Sequence, residues 1–217
     1  MARYTGPQCR LCRAEGSKLF LKGERCSSDH CSVTRIQKNK KRAMAPGKNV
    51  RSRQTKRTDY GVQLREKQKM RRIYCMLEKQ FKLTFQKAAK MPGRTGDSLI
   101  ALLEKRLDNV VYRMRFASSR KQARQLVSHG HVFVGGKRVT IPSYQLRVDD
   151  KVELGEKAKK LLLVKESMKE YTRSGVAPWL EVNPDTLVGY LRAVPRRNDV
   201  TDLADIREQL VVELYSK

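Results

Sequence analysis

The chain has 217 residues, with 48 Lys or Arg against 22 Asp or Glu, a formal net charge of +26. Such an excess costs self-repulsion in a compact fold and asks for a polyanion, with nucleic acid ahead of an anionic membrane. No run of 18 apolar residues occurs, no amphipathic stretch gathers aromatics on one face, and no secretory segment opens the chain, so a cytosolic location with no membrane partner is expected.

Cys9 and Cys12 form C-x2-C, and thirteen residues later Cys26 and Cys31 form C-x4-C. Cytosolic thiols stay reduced, so the clustering points to metal and not to disulfides. Two short-spaced pairs supply thiolates to a tetrahedral ion: zinc (Zn2+) by default, or an iron–sulfur cluster. His30 beside Cys31 is an alternative ligand, and unconnected thiols are the plain alternative. Arg10, Arg13, Lys18, Lys22 and Arg25 fill the interval, and no open ligand position is implied. The expected site is closed and structural, a knuckle that folds a segment too small for its own core.

Arg35 to Arg72 holds fifteen Lys or Arg against Asp59 and Glu66, a net +13 in 38 residues and half of the chain's +26. Its first part, to Arg57, has few apolar residues and contains Pro46-Gly47, so alone it should be extended or loosely structured. A solubilising tail is the bland alternative. Because the arm lies between two ordered segments, ordering on RNA is the better reading. The candidate contacts are Arg35, Lys38, Lys40, Lys41, Arg42, Lys48, Arg51, Arg53, Lys56 and Arg57.

Asp59 can cap a helix running through about Leu83, with Met70, Tyr74, Leu77 and Phe81 as its apolar face and Cys75 packed beside it. Arg65, Lys69 and Arg72 on its polar side are further RNA candidates. After Pro92-Gly93, Asp97 is expected to cap a helix that aligns Leu99, Leu103 and Leu107. A helix from Asp108 to Phe116 follows, with Asp108 as its cap. Ser119 then reads as an N-cap, with Gln122 as its capping-box partner, and Gly130 as the C′ residue of that helix. On it Ala123, Leu126 and Val127 share one side, while Arg120 and Arg124 sit one turn apart on an edge.

Val132-Phe133-Val134, Gly135-Gly136 and Lys137-Arg138-Val139 read as a tight hairpin, since a two-residue turn needs positive φ. Arg120, Lys121, Arg124, His129, Lys137 and Arg138 are the candidate RNA contacts of this scaffold. On that reading, Arg124→Ala flattens the salt dependence of RNA binding by about one unit of slope. Val152 to Leu154 and Leu161 to Val164 suit short strands, and Trp179 to Val182 and Leu187 to Val194 add strands or turns. Asp202 can cap a last helix striped by Leu203, Ile206, Leu210 and Leu214.

The expected fold is α+β: a zinc knuckle and basic arm (1–45), a discontinuous helical domain (46–97 plus 178–217), and an inserted module of two helices, a hairpin and a short antiparallel sheet (98–177). No phosphate loop, H-E-x-x-H or G-x-S-x-G is present, and no constellation warrants an enzyme. An RNA-modifying enzyme that carries the module for targeting would need a further catalytic domain. A zinc-dependent DNA regulator would need a base-reading helix after the second cysteine pair.

Three segments carry a resemblance over nearly the whole length: Tyr60–Lys69 (YGVQLREKQK), Arg106–Arg113 (RLDNVVYR) and Ala123–His131 (ARQLVSHGH), with the ending Glu213–Lys217 (ELYSK). They are similar to the family of the fourth small-subunit ribosomal protein of bacteria, and the helix–helix–hairpin unit resembles the RNA-binding module named after that family. The cysteines match its zinc-bearing subset. Gly135 stands where the family usually has Asn, and Val148-Asp149-Asp150 replaces a usual Pro-Gly-Asp turn. The resemblance implies a structural, non-enzymatic constituent of the small subunit that binds the 5′ domain of its ribosomal RNA early in assembly. It also implies the fifth small-subunit protein and other small-subunit proteins as neighbours, a place by the messenger-RNA entrance with influence on translational accuracy, and repression of its own operon messenger in some bacteria.

Overall fold

In the computed structural model, the chain divides into two units: Met1–Leu83 with Asp202–Lys217, and Thr84–Thr201. The structure describes residues 4–38, 46–47, 56 and 58–216; Lys40, Lys41, Arg42, Lys48, Arg51, Arg53 and Arg57 lie outside the described residues. In chain order the elements are α1 Gln8–Glu15, α2 Ser32–Lys38, α3 Asp59–Ile73, α4 Glu78–Ala89, α5 Thr95–Glu104, α6 Leu107–Arg113, α7 Arg120–Ser128, β1 Val132–Val134, β2 Lys137–Arg138, β3 Lys151–Leu154, α8 Glu156–Lys159, α9 Leu162–Ser174, β4 Leu180–Asn183, β5 Val188–Leu191 and α10 Glu208–Ser216.

The first unit is built on α3. Thr58, one residue before the expected Asp59, caps it by accepting the Gly61 N–H at 3.2 Å. The helix expected to run to Leu83 ends at Tyr74, because Cys75 turns left-handed at φ 52. Cys75 N–H donates to Arg72 O and Met76 N–H to Arg71 O, both at 3.1 Å, which closes the end as a Schellman motif without glycine. Met70, Tyr74, Met76 and Phe81 are buried on the two sides of this reversal. The last helix packs on α3, and its own start is later than expected: a 3-10 turn occupies Thr201–Leu203, and α10 begins at Glu208. Arg207 N–H donates to Glu66 Oε2 at 3.2 Å, and Gln63 Nε2 to Glu213 Oε2 at 2.9 Å.

In the second unit α5 starts at Thr95, so Asp97 lies in its first turn and is not its cap. Leu107 and Asp108, the first residues of α6, donate their N–H groups to Tyr144 O (2.9 Å) and Pro142 O (3.1 Å) of a later loop. That relieves Asp108 of capping. Ser119 caps α7, accepting from Gln122 N–H at 3.4 Å, while Gln122 Oε1 accepts from Ser118 N–H at 2.9 Å instead of closing a box on Ser119. Gly130, at φ 72, ends α7 with His131 N–H donating to Leu126 O at 3.1 Å.

Gly135 and Gly136, at φ 55 and 76, form the two-residue turn between β1 and β2. The antiparallel sheet has the order β2-β1-β3-β5-β4. β4 and β5, expected within the helical domain, therefore complete the module's sheet, and the unit boundary falls after Thr201 and not at 177/178. The other boundary falls after Leu83, within α4, and not at 97/98. Leu161 to Val164, expected as a strand, opens α9 instead; leucine is a strong helix former, and Leu162 and Leu163 are exposed rather than part of a pleated core. In the turn before β3, Asp149 adopts φ 68, a conformation that glycine adopts more readily.

Candidate nucleic-acid interface

α6 and α7 pack together, and the two carry opposite charges toward one another. Arg120 is 6% exposed: its Nε donates to Asn109 Oδ1 at 2.8 Å, and its guanidinium lies 4.5 Å from the Tyr112 ring centroid. Arg124 is 4% exposed, with Nη1 3.9 Å from Asp108 Oδ2. Asp108 is also clamped by Arg106, whose Nε and Nη2 reach its two oxygens at 3.1 and 3.0 Å. Beneath them Glu104 is completely buried and accepts from Asn109 Nδ2 at 2.7 Å and from Arg113 Nε and Nη2 at 2.9 Å. The edge expected to face RNA thus turns inward at two of its arginines, because carboxylates and an amide on neighbouring segments meet them there. A buried, paired guanidinium offers little surface to a phosphate and so releases few of the RNA's condensed counterions.

What this unit exposes is the far end of α7 with the hairpin tip. His129, Lys137 and Arg138 are exposed, and Lys121 is half-buried. Arg138 Nη2 donates to His129 O at 3.2 Å, and the His129 and His131 ring centroids are 6.2 Å apart. Lys137 and Arg138 follow a turn whose geometry is set by glycines, a platform of the kind that suits phosphates and groove edges.

The first unit also ties down candidate cations. Glu15, whose side chain is fully buried, pairs with Arg72 Nη1 and stands 3.4 Å from Arg65 Nη1. Lys69 Nζ meets Glu66 Oε1 at 2.7 Å. On α2, Arg35 Nη2 lies 3.0 Å from His30 Nδ1, and Lys38 Nζ meets Asp29 Oδ1 at 2.9 Å in an exposed pair. Lys56 is exposed.

Cys12, Cys26 and Cys31 are buried and Cys9 is half-buried, all as free thiols. Lys22 N–H donates to Cys26 Sγ at 3.3 Å. Burial pushes the Cys12 and Cys26 thiols up, and the other cysteines' charges add to that. At Cys31 burial is outweighed by the N–H groups of Thr34 and Val33, which pull the thiol below its ordinary value. Sulfurs that feel one another's charge and accept backbone N–H groups are donors of the type a thiolate-bound ion needs. Among the described residues, no group of three or more His, Cys, Asp or Glu side chains is drawn together as a ready ligand set. The donor chemistry fits a metal; the closed tetrahedral arrangement is not preformed.

Residues 3–104 match the family described as Ribosomal protein S4/S9 N-terminal domain, and residues 105–152 match the S4 domain. Among curated proteins, the chain is 53% identical to the small ribosomal subunit protein uS4 of Pelobacter propionicus, over all of both chains. It is 52% identical, again over all of both chains, to the proteins of the same name from Citrifermentans bemidjiense and Geobacter sulfurreducens. The chain belongs to the uS4 family.

The uS4 family is one of ribosomal structural proteins and not of enzymes. The stretch matched as S4 domain holds α6, α7, the hairpin and the start of β3, the part of this uS4-family chain where the exposed end of α7 meets the hairpin. Glu15, Glu104 and Asn109 were not singled out from sequence. A buried carboxylate carries no local mark, and the partners of Glu15 lie 50 and 57 residues away.

Proposed function

We propose that this chain is a structural constituent of the small ribosomal subunit in the cytoplasm and that it binds the subunit's ribosomal RNA. The observation that carries the reading is the 53% identity along the whole of both chains with a protein of that name. Charge supports it: a net +26 is a burden for a free protein and is neutralised by packing against RNA. Lys137 and Arg138 on β2 and His129 at the end of α7 grip phosphates, and Lys121 in the first turn of α7 is a further contact. The RNA partner lies in the 5′ domain, bound early in assembly, with the fifth small-subunit protein and the messenger-RNA entrance nearby. An influence on accuracy and repression of an operon messenger belong to the same reading. No described helix is long and apolar enough to cross a membrane.

Cys9, Cys12, Cys26 and Cys31 hold zinc, with an iron–sulfur cluster as the alternative. The buried sulfurs and the N–H donated to Cys26 support this. Bound there, the ion supplies no chemistry; it crosslinks α1 to the turn around Cys26 and the start of α2.

Sedimentation tests the function. After a lysate is run through a sucrose gradient and the small-subunit peak is washed in high salt, the chain is expected to remain with that peak. Release to the top of the gradient contradicts an integral ribosomal role.

A further inference from the structure

Gly130 does two things at the end of α7. Its φ of 72 closes the helix, which is ordinary for a C′ residue. It is also buried, and the Arg138 guanidinium of the hairpin lies directly on it. The nearest atoms that a Cβ added at Gly130 would meet are Nε, Nη2 and Cζ of Arg138, all close enough to collide. Arg138 reaches this place from β2, crosses the helix end, and donates Nη2 to His129 O at 3.2 Å. Cations are favoured at a helix C-terminus, where the last carbonyls carry negative partial charge. The residue is otherwise exposed.

We propose that Gly130 is a positioning residue for RNA binding: its missing side chain lets the Arg138 guanidinium lie fixed across the end of α7, beside His129 and His131, as a preoriented fork for an RNA phosphate. The proposal rests on the RNA-binding reading above. A hairpin arginine left loose would lose rotamer freedom on binding; one already anchored by a carbonyl and seated on a glycine loses less. The anchor takes one N–H of the planar fork and leaves the exposed remainder for the ligand. The contrast with Arg120 and Arg124 is direct. Those two guanidiniums are consumed inside the protein, whereas Arg138 is exposed and, among the described residues, is held by a neutral carbonyl.

A double-mutant cycle tests this with the full chain and a small-subunit ribosomal RNA transcript, measured over a salt series. Arg138→Ala is expected to weaken binding about tenfold and to flatten the salt slope by about one unit. Gly130→Asn is the mildest probe of this space, because Asn adopts positive φ more readily than most side chains, and it places a Cβ where the guanidinium lies. It should lose as much affinity and slope as Arg138→Ala although Arg138 is still present. The double variant should bind no more weakly than either single one, since both remove the same fork.

Wild-type binding by Gly130→Asn overturns the proposal, and so do losses that multiply in the double variant. Circular dichroism and Tm verify that the variants fold. If Gly130→Asn does not fold, Arg138→Lys decides: a point charge without the fork should bind about as weakly as Arg138→Ala, and wild-type binding by it refutes the positioning role. A wild-type chain that ignores the transcript overturns the RNA reading itself, which is a separate and recognisable result.

Discussion

Glu104 and Arg113 meet in a two-point ion pair, Nε to Oε2 and Nη2 to Oε1, both at 2.9 Å, around a carboxylate with no exposed surface. Asn109 links the same carboxylate to Arg120, so one buried acid ties α5 to α6 and, through Asn109, to α7. Removing it would take the carboxylate from a largely buried guanidinium and leave the Asn109 amide with the backbone carbonyl of residue 104. Glu104→Ala is expected to destabilise the protein by about 3–5 kcal/mol. Urea unfolding with an unchanged m value measures it. A variant within about 1 kcal/mol of wild type would show that the pair contributes little beyond its own desolvation cost.

Burial also separates two classes of arginine and lysine in the module. Arg124, at 4% exposure, pairs with Asp108, and Lys137 stands exposed on the hairpin. Read from sequence alone, both belong to the RNA surface. With the fold in view, Arg124→Ala should lower Tm and leave the salt slope of RNA binding unchanged. Lys137→Ala should leave Tm unchanged and flatten the slope by about one unit. Binding isotherms at several salt concentrations check both, and a flattened slope for Arg124→Ala would restore its direct role.

The C-terminal helix is latched by Tyr215, whose hydroxyl donates to Glu78 Oε1 at 2.7 Å, with Lys67 Nζ on the same oxygen at 2.5 Å. Burial and Glu78 hold the Tyr215 phenol well above its ordinary value of 10.0. At Glu78 burial opposes ionisation, but the hydrogen bonds from Lys67 and Tyr215 prevail and keep the carboxyl below 4.5. A lowered carboxyl contributes stability above its unfolded pKa and loses it as pH falls through the folded one. A raised phenol contributes up to its unfolded pKa and loses that contribution as pH rises further. The latch is therefore fully effective from about pH 5 to 9. Tyr215→Phe should lower Tm at neutral pH, and its deficit should shrink below about pH 4 and above about pH 10. A deficit constant across pH would show that the bond from the hydroxyl to the ionised Glu78 does not carry the effect.

For the cysteine site, metal analysis of the purified chain is expected to find about one zinc per chain with no visible absorbance. Cys26→Ser or strong chelation should abolish the zinc and remove helical signal, while the second unit's unfolding transition stays in place. A brown chain with iron and acid-labile sulfide would establish the cluster instead. Metal-free protein with the full helical signal would refute both.

The turn before β3 gives a check on backbone strain. Asp149 at φ 68 occupies a conformation natural to glycine, and its carboxylate gains only an exposed contact with Arg192 at 3.3 Å. Asp149→Gly should be neutral to stabilising by up to about 1 kcal/mol, because strain is relieved and a surface pair is worth little. A clear fall in Tm would show that the Arg192 contact outweighs the strain.

By itself the sequence determined what depends on neighbours a few residues apart. Ser119 capping α7, Gly130 ending it, Gly135-Gly136 turning the hairpin, and the buried line of Leu99, Leu103 and Leu107 all follow from local periodicity and turn chemistry. The charge, the paired cysteines and the absence of a catalytic constellation are equally local facts. Only the tertiary structure decided which cations are available to a partner. Arg120, Arg124, Arg65 and Arg72 look like any surface arginine until Asn109, Asp108 and Glu15 are brought against them. The break at Cys75 was hidden because a cysteine took the left-handed position that glycine usually marks. The run Leu161–Val164 became helix and not strand because the sheet took its fourth and fifth members from the β4–β5 hairpin. For the arginines the deciding energy comes from a partner on another element, and composition or spacing carries no record of that partner.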